Sequence, residues 1–519
     1  MSRREAVEKP AISPILPETT MAAQQSTQDA PVLSAPDETS PLIPKAKKQA
    51  NPLPKAQLAV IYAIKLTLPI ALTQSIPYYN VLIEKLAASE GAETGYYSGL
   101  AHSAFAIAQF ISMFAWGHIS DRIGRVPVIV AGTVGTAFFT FSFGLAQTFQ
   151  AVLLNRVLAG LFYGITGAIH SVVGELSDET NQSTAFPLYD IISALGYVIG
   201  PLIGGTFADP WLSWPKIFSP WWSVYPYFLP CLISSVISLL AALLAVFVLK
   251  ETLPSKRSSK TVYEPDDEPL AAATSAATII EVPPTVADLE PLTIRQLLSI
   301  PVLRAVFLSS SALGFAGSCF NNTFVLMAYT PLRQGGLAFS PAQIGRALSG
   351  MGAVSILLKL CMPKLLRRFG TLNMFDFCMI AWVATFASMP LASLVAKQAA
   401  AAGTLLFGGG EQAAREASTV EWTVVAFVLF LSRLGCLAFS IIMILTRDHT
   451  PGSASLGTAN GLAELAQSLA ATIGPTIASS LFAVSASKHL LGGYLWVVFM
   501  LLQAGWGLWV AKQIRKYRD

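Results

Sequence analysis

Residues 97–146 read YSGLAHSAFAIAQFISMFAWGHISDRIGRVPVIVAGTVGTAFFTFSFGLA, two apolar runs joined by the polar turn Gly117-His118-Ile119-Ser120-Asp121-Arg122-Ile123-Gly124-Arg125. Each run is about 20 residues long, the length that carries an α-helix across a hydrocarbon core about 30 Å thick. Gly117 ends the first helix tightly and Gly124 permits a compact turn. Asp121, Arg122 and Arg125 can tie helix ends together by charge-assisted hydrogen bonds, an arrangement suited to a gate latch.

The same pattern of apolar run and short polar break repeats along the 519 residues. In the first half, spans are predicted at 57–76, 97–117, 126–146, 151–171, 185–207 and 226–249. A polar stretch from Lys250 to Ser299 follows, and six more spans are predicted at 302–330, 342–362, 373–395, 420–444, 456–484 and 491–511. The expected fold is therefore all-α and polytopic, with 12 transmembrane helices in two six-helix bundles. The predicted organisation is a disordered N-terminal tail (1–54), one bundle (55–249), a linker (250–300), the second bundle (301–511) and a short C-terminal tail (512–519). The stretch 393–419, with three consecutive glycines, reads as part of a long loop.

Composition agrees. Hydrophobic residues make up 53% and charged residues only 12% of the chain, where soluble domains carry about 25% charged residues. The 37 Gly and 32 Pro suit spanning helices, which tolerate both. A formal net charge of +4 gives no sign of nucleic-acid binding. Five cysteines without CxxC spacing read as buried free thiols, not as disulfides or a metal site.

Lys and Arg set the orientation. With a cytosolic N-terminus, one side collects Lys45, Lys47, Lys48, Lys55, Arg122, Arg125, Lys364, Arg367, Arg368, Arg447, Lys512, Arg515, Lys516 and Arg518. The other side holds only Lys85, Lys216, Arg333, Lys397, Arg415 and Lys488. An even number of spans then places both termini, the tails and the linker in the cytosol. No secretory signal opens the chain, so the first span is expected to direct membrane insertion.

The turn at 117–125 closely resembles the signature loop of the major facilitator superfamily, with Val126 standing where a further basic residue is usual. Arg156, within NRVLAGLFYGITGA, resembles that family's fourth-helix motif. Gly196-Tyr-Val-Ile-Gly200-Pro201-Leu-Ile-Gly204-Gly205 resembles its antiporter motif, with Pro187 at the upstream position where a small residue is usual. TANGLAELAQSLAATIGPTIASSLF is similar to the eleventh helix of a fungal and plant branch related to drug:proton antiporters and zinc-induced-facilitator-like proteins. The resemblance covers residues 55–511 and implies a transporter that alternates access between two bundles, with Arg156 linked to proton coupling.

Ionisable side chains within spans are costly unless they face a cavity or a partner. Arg156 can bind an anionic group or assist proton release. Asp190 and Glu464 are the acidic candidates for proton uptake, Arg433 a candidate partner for Glu464 or the solute, and Lys65 is expected to extend to the cytosolic surface. Gln74, Tyr78, Gln109 and Tyr163 offer polar or aromatic cavity surface. His102 and His170 stand alone on separate helices, which favours packing over zinc binding. Glu175, Asp178 and Glu179 are expected to be solvated, one of them pairing with Arg122 or Arg125.

Glu38, Leu42 and Ile43 match an acidic dileucine sorting pattern for an adaptor protein, which would direct the chain to a vacuolar or similar membrane; the plasma membrane is the alternative. The glycosylation patterns at Asn181 and Asn321 fall on the cytosolic side and inside a span, so neither is expected to be used. No nucleotide-binding loop, metal cluster or nucleophile constellation suggests an enzyme. The reading is a proton-coupled antiporter exporting a small organic solute, complete as a monomer, with no cofactor beyond protons. A symporter or facilitator of the same fold, or a solute receptor that does not transport, remain the alternatives.

Overall fold

The computed structural model describes residues 54–87, 94–177, 182–253, 292–405, 411–451 and 455–518. The sorting residues Glu38, Leu42 and Ile43, most of the linker, Asp178, Glu179 and Asn181 lie outside the described residues. The described part is helical, and 12 of its helices are long and apolar enough to cross a membrane. In the first half they are Lys55–Leu86, Gly95–Ile123, Arg125–Phe143, Phe149–Leu176, Leu188–Phe207 and Phe228–Val248. In the second half they are Pro301–Tyr329, Pro341–Phe369, Thr371–Gln398, Thr419–His449, Thr458–Ser487 and Leu495–Tyr517.

Several helices overrun the apolar segments. The first span continues ten residues past 76, because PYYNVLIEKL remains a good helix after a break. Pro77 lacks an amide donor and its ring clashes with the carbonyl four residues back. The helix accordingly stops at Thr73 and resumes at Ile76. The stretch 393–419 is not the expected loop: helix runs to Leu405 and restarts at Glu411, since the run AKQAAAAGTLL is rich in strong helix formers. The last helix extends to Arg518, and Lys, Gln and Arg there favour helix as well. The end of the linker also folds. Thr293 and Gln296 form a capping box for the short helix Ile294–Ser299.

Two six-helix bundles result, each with its own apolar core. One core joins residues from Ala305 to Ile514, while two others lie wholly between Leu58 and Leu249. The bundles meet through the second span against the eleventh and the fifth against the eighth. Hydrogen bonds join them toward one end. Ser103 Oγ donates to the Thr472 carbonyl at 2.7 Å, Thr476 Oγ1 reaches both Gly99 and Ser103, and Ser349 Oγ donates to the Val198 carbonyl at 2.8 Å.

Small residues make this seam close. A Cβ placed on Gly345 would stand 2.5 Å from the Pro201 carbonyl and 2.9 Å from the Gly205 Cα. One on Gly99 would stand 3.0 Å from the Pro475 carbonyl. Toward the other end, which carries the 117–125 turn, Gly117 and Gly461 have nothing within 4 Å of an added Cβ; Gly350, beside the seam residue Ser349, is open because it faces outward, away from the other bundle. The molecule is thus sealed at one end and parted at the other.

The seam predicts a contrast within the eighth span. Gly345→Leu should lower stability by about 1–3 kcal/mol through overpacking, whereas Gly350→Ala should leave the thermal unfolding temperature unchanged or raise it. Equal effects at both positions would show that backbone contact does not make the seal.

Candidate functional site

Between the bundles lies a cavity of about 270 Å³ lined by residues of the first, second, fifth, seventh, eighth and eleventh spans. Its polar lining includes Tyr79, Asn80, His102, Tyr197, Asn321 and Asn322, and its apolar lining includes Phe105, Leu348 and Met351. The break at Thr73–Ile76 supplies one wall, carrying Thr73 and Ile76, with Tyr79 and Asn80 on the turn that follows. Ser98 Oγ donates to Asn80 Oδ1 at 2.8 Å, and Asn322 Nδ2 donates to the Pro475 carbonyl at 3.4 Å.

Arg156 lies immediately behind Tyr79. Its guanidinium carbon is 4.6 Å from the ring centroids of both Tyr79 and Phe143. Nη2 donates to Ser75 Oγ at 2.7 Å. Arg156 is only 8% exposed, forms no ion pair among the described residues, and leaves Nε without a hydrogen-bond partner. Aromatic faces thus supply the negative potential that a carboxylate would otherwise provide. Gln74 and Tyr163 line a separate space of about 20 Å³ beside this arginine and do not line the main cavity. That space has room for about one water molecule.

Arg433 approaches the cavity from the second bundle. Nη2 is 3.4 Å from Asn321 Oδ1, and its charge reaches Tyr197 on the opposite bundle. The fourth and tenth spans, which carry these two arginines, are both interrupted: one at Gly164–Ile165, the other at Leu437. Arg433 does not pair with Glu464.

The candidates Lys65, Asp190 and Glu464, together with Lys359, which sequence reasoning did not single out, stand toward the parted end in a repeated register. Lys65, Asp190, Lys359 and Glu464 each lie seven residues from a cavity-lining residue, namely Leu72, Tyr197, Gly352 and Ala471. Seven residues are two turns, so each shares its neighbour's helix face about 10 Å nearer the mouth. Gln109 stands in the same relation to His102. Lys65 does not extend to the surface as expected; its Nζ lies 4.3 Å above the Tyr189 ring, within electrostatic reach of Asp190 and Lys359. The tyrosine face and the neighbouring carboxylate hold the ammonium inward. His170 packs edge-on against Tyr189 at 5.7 Å and also feels Asp190 and Lys65. His102 packs edge-on against Tyr79 at 5.0 Å. No group of three or more His, Cys, Asp or Glu side chains is placed to hold a metal among the described residues.

The 117–125 turn is tied into its own bundle. Arg125 pairs with Asp121 at 2.7 Å and with Glu175, at the end of the fourth span, at 2.8 Å. Glu251, just past the sixth span, accepts from the amides of Arg125 and Val126 at 2.8 and 3.2 Å. Those amides begin the third span, where unpaired N–H groups favour an anion. Gly124, at φ +121°, leaves room for this carboxylate: an added Cβ would lie 2.6 Å from Glu251 Oε2. Thr252 Oγ1 donates to Glu175 Oε2 at 2.5 Å. Arg122 is exposed and forms no ion pair among the described residues. Sequence reasoning missed Glu251, because it falls where the polar linker begins, and missed Tyr79, Asn80 and Tyr197, which carry no charge to mark them.

The glycine motif of the fifth span divides its faces. Gly196, Gly200 and Gly204 press on Pro69, Thr73 and Gln74 of the first span, while Gly205 and Pro201 meet Gly345 of the eighth. These contacts hold the broken segment of the first span in place beside the cavity.

Residues 61–414 match the Major Facilitator Superfamily. The major facilitator-type transporter psiT2 of Psilocybe cyanescens is 34% identical over 495 residues, covering 91% of this chain and 92% of that protein. The protein Zinc Induced Facilitator 1 of Arabidopsis thaliana is 25% identical over 458 residues, covering 85% and 87%. Among solved structures, a bacterial homologue of the human lysosomal transporter Spinster, in an inward-facing and unoccupied conformation, aligns with a TM-score of 0.60 at 16% identity. That alignment covers 90% of this chain and 99% of the other.

The latch predicts measurable coupling. In a double-mutant cycle on thermal stability, Arg125→Ala and Glu175→Ala should be non-additive by about 1–3 kcal/mol. Arg122→Ala, outside the network, should change stability by no more than about 0.5 kcal/mol. Additive losses for the first pair would dissolve the latch.

Proposed function

We propose that this chain, which belongs to the major facilitator superfamily and is a secondary transporter, exports a small organic solute from the cytosol in exchange for protons. Membership in that family makes it a transport protein and not an enzyme, and its relatives include fungal and plant proteins of the zinc-induced-facilitator type. The observation that carries the proposal is the cavity between the bundles, sealed at one end by backbone contact and continued at the other by a register of charged side chains.

The parted end carries Arg122, Lys364, Arg367 and Arg368. The excess of Lys and Arg there supports a cytosolic assignment, with both termini on that side. Solute would enter between Lys65 and Lys359 and settle among Tyr79, Asn80, Tyr197 and Asn321. Closing this mouth and parting the glycine seam would expose the solute to the other side.

Asp190 and Glu464 are the groups proposed to carry protons. Each faces the vestibule from a different bundle, so a proton on either can be gained on one side of the membrane and lost on the other as the bundles rock. Arg156, held rigidly behind Tyr79, would transmit occupancy of the cavity to the first span. Each net charge moved is worth about 2.3 kcal/mol per 100 mV, so the proton count sets how far solute can be concentrated. The chain carries both bundles and is proposed to work as a monomer. A vacuolar membrane, reached through an adaptor at Glu38, Leu42 and Ile43, is the proposed site of action.

Purified protein in sealed liposomes tests the coupling. A lumenal pH dye would report proton movement while organic acids, amines and zwitterions are supplied. Wild type should move protons opposite to solute. Glu464→Gln or Asp190→Asn should reduce that proton flux at least about tenfold, a loss of roughly 1.4 kcal/mol or more, while retaining solute exchange at equal pH. Full proton coupling in both variants would remove these carboxylates from the mechanism, and solute flux without proton movement would favour a facilitator.

A further inference from the structure

The cavity has cations around it and no anion in its wall. Arg433 reaches its edge through Asn321, and Arg156 stands directly behind Tyr79. No carboxylate lines the cavity, and neither arginine forms an ion pair among the described residues. The vestibule-facing carboxylates, Asp190 and Glu464, stand about two helical turns away, and Asp190 has Lys65 beside it. A further lysine, Lys359, projects from the eighth span on the approach to the cavity.

An unpaired cation inside a bilayer is costly, and bringing a second cation beside it in a low-dielectric space costs more. Cation–π contacts offset part of that cost for Arg156, but its Nε stays without an acceptor and Tyr79 Oη is likewise unpartnered. Arg433 has long contacts to neutral oxygens alone, Ser432 Oγ at 3.3 Å and Asn321 Oδ1 at 3.4 Å, with the Phe320 ring centroid 6.0 Å from its guanidinium carbon. The counter-charge missing from the protein is the charge the solute can bring. The rest of the lining has a complementary character: Tyr79, His102, Phe105 and Tyr197 offer ring faces and edges, and Asn80 and Asn322 offer amides.

We propose that the solute is a small aromatic acid, whose carboxylate or phosphate is bound by Arg433 and Asn321 while its ring packs among Tyr79, Phe105 and Tyr197. This inference rests on the reading that the central cavity is the transported solute's site. Arg433 is the residue that contacts the acid; Arg156 acts through Tyr79, fixing the ring and adding positive potential behind it. Lys65 and Lys359, facing each other across the mouth, raise the local concentration of anions on the way in.

The test uses four naphthalene probes that share one ring system: 2-naphthoate, 2-naphthyl phosphate, neutral 2-naphthamide and cationic 2-naphthylmethylamine. Binding to the purified full-length protein is measured by calorimetry, and flux is measured in liposomes. Both acids, or one of them, should bind at least tenfold more tightly than the amide and the amine. Which acid binds decides between a carboxylate and a phosphate head. Arg156 is packed against two rings and its removal risks the fold, so Arg433 carries the decision. Arg433→Gln should weaken acid binding at least tenfold and leave the amide unchanged, and Arg433→Lys should restore part of the loss. Binding led by the amine or amide, or no binding by either acid to folded protein, overturns the proposal. Flux of amines without acids would do so while leaving the transporter reading intact. Acids bound through Arg433 but never moved would instead overturn the cavity's role in transport.

Discussion

Backbone amides and carbonyls inside a hydrocarbon layer have only one another to bond, because no water is at hand and each unmet group costs several kcal/mol. Continuous helix satisfies them, and the chain departs from it sparingly. Within the membrane-spanning segments the breaks fall at Thr73–Ile76, Gly164–Ile165 and Leu437, in the first, fourth and tenth spans. The breaks are absorbed locally: Thr73 Oγ1 donates to the Pro69 carbonyl, Ser75 Oγ to Leu72, and Leu437 bonds back to Leu434. The first of these spans lines the cavity, and the fourth and tenth stand behind its wall through Arg156 and Arg433, so the irregular backbone can face protein or a cavity instead of lipid. The first break turns Tyr79 and Asn80 into the cavity and brings Ser75 to Arg156.

Two kinds of chemistry are kept apart around that site. The closed end is made by backbone approaching backbone, with Gly205 against Gly345 and Gly99 against Pro475. The parted end is made by charge: the Arg125–Glu175–Glu251 network within one bundle, and Lys65, Asp190, Lys359 and Glu464 along the approach. In this state the network ties the second, third, fourth and sixth spans of one bundle together and leaves Arg122 exposed. A latch that is internally complete can keep one bundle rigid while the other moves against it.

Most of the fold was legible in the sequence, because apolar length is a strong signal and the turn at 117–125 is a dense one. The misjudged stretches were those where hydropathy and helix propensity disagree. Residues 393–405 are too polar and glycine-flanked to look like a span, yet alanine carries them as helix. The site was less legible. Arg156 and Arg433 stood out as charges in apolar runs, and each stands behind a cavity-lining residue, Tyr79 and Asn321. Tyr79, Asn80 and Tyr197 did not stand out, since uncharged polar residues are common in spans, and the facing of Tyr79 and Asn80 depends on the break before Pro77. Glu251 was hidden for another reason: a glutamate two residues past a span looks like the start of a linker until the amides of the third span are folded against it. The seven-residue register linking Lys65 to Leu72 and Glu464 to Ala471 was available in the sequence, but only a known cavity gives it meaning.

The glycine seam has a bearing on how such a protein changes over generations. The seam is built from main-chain atoms and the hydroxyls of Ser103, Ser349 and Thr476, whereas Tyr79, Asn80 and Asn321, which line the cavity, bridge no hydrogen bond across it among the described residues. Exchanging Tyr79, Asn80 or Asn321 leaves the contacts of the seam in place, and a side chain at Gly345 does not. Selectivity is therefore free to drift from one solute to another while the machine that moves the solute stays fixed.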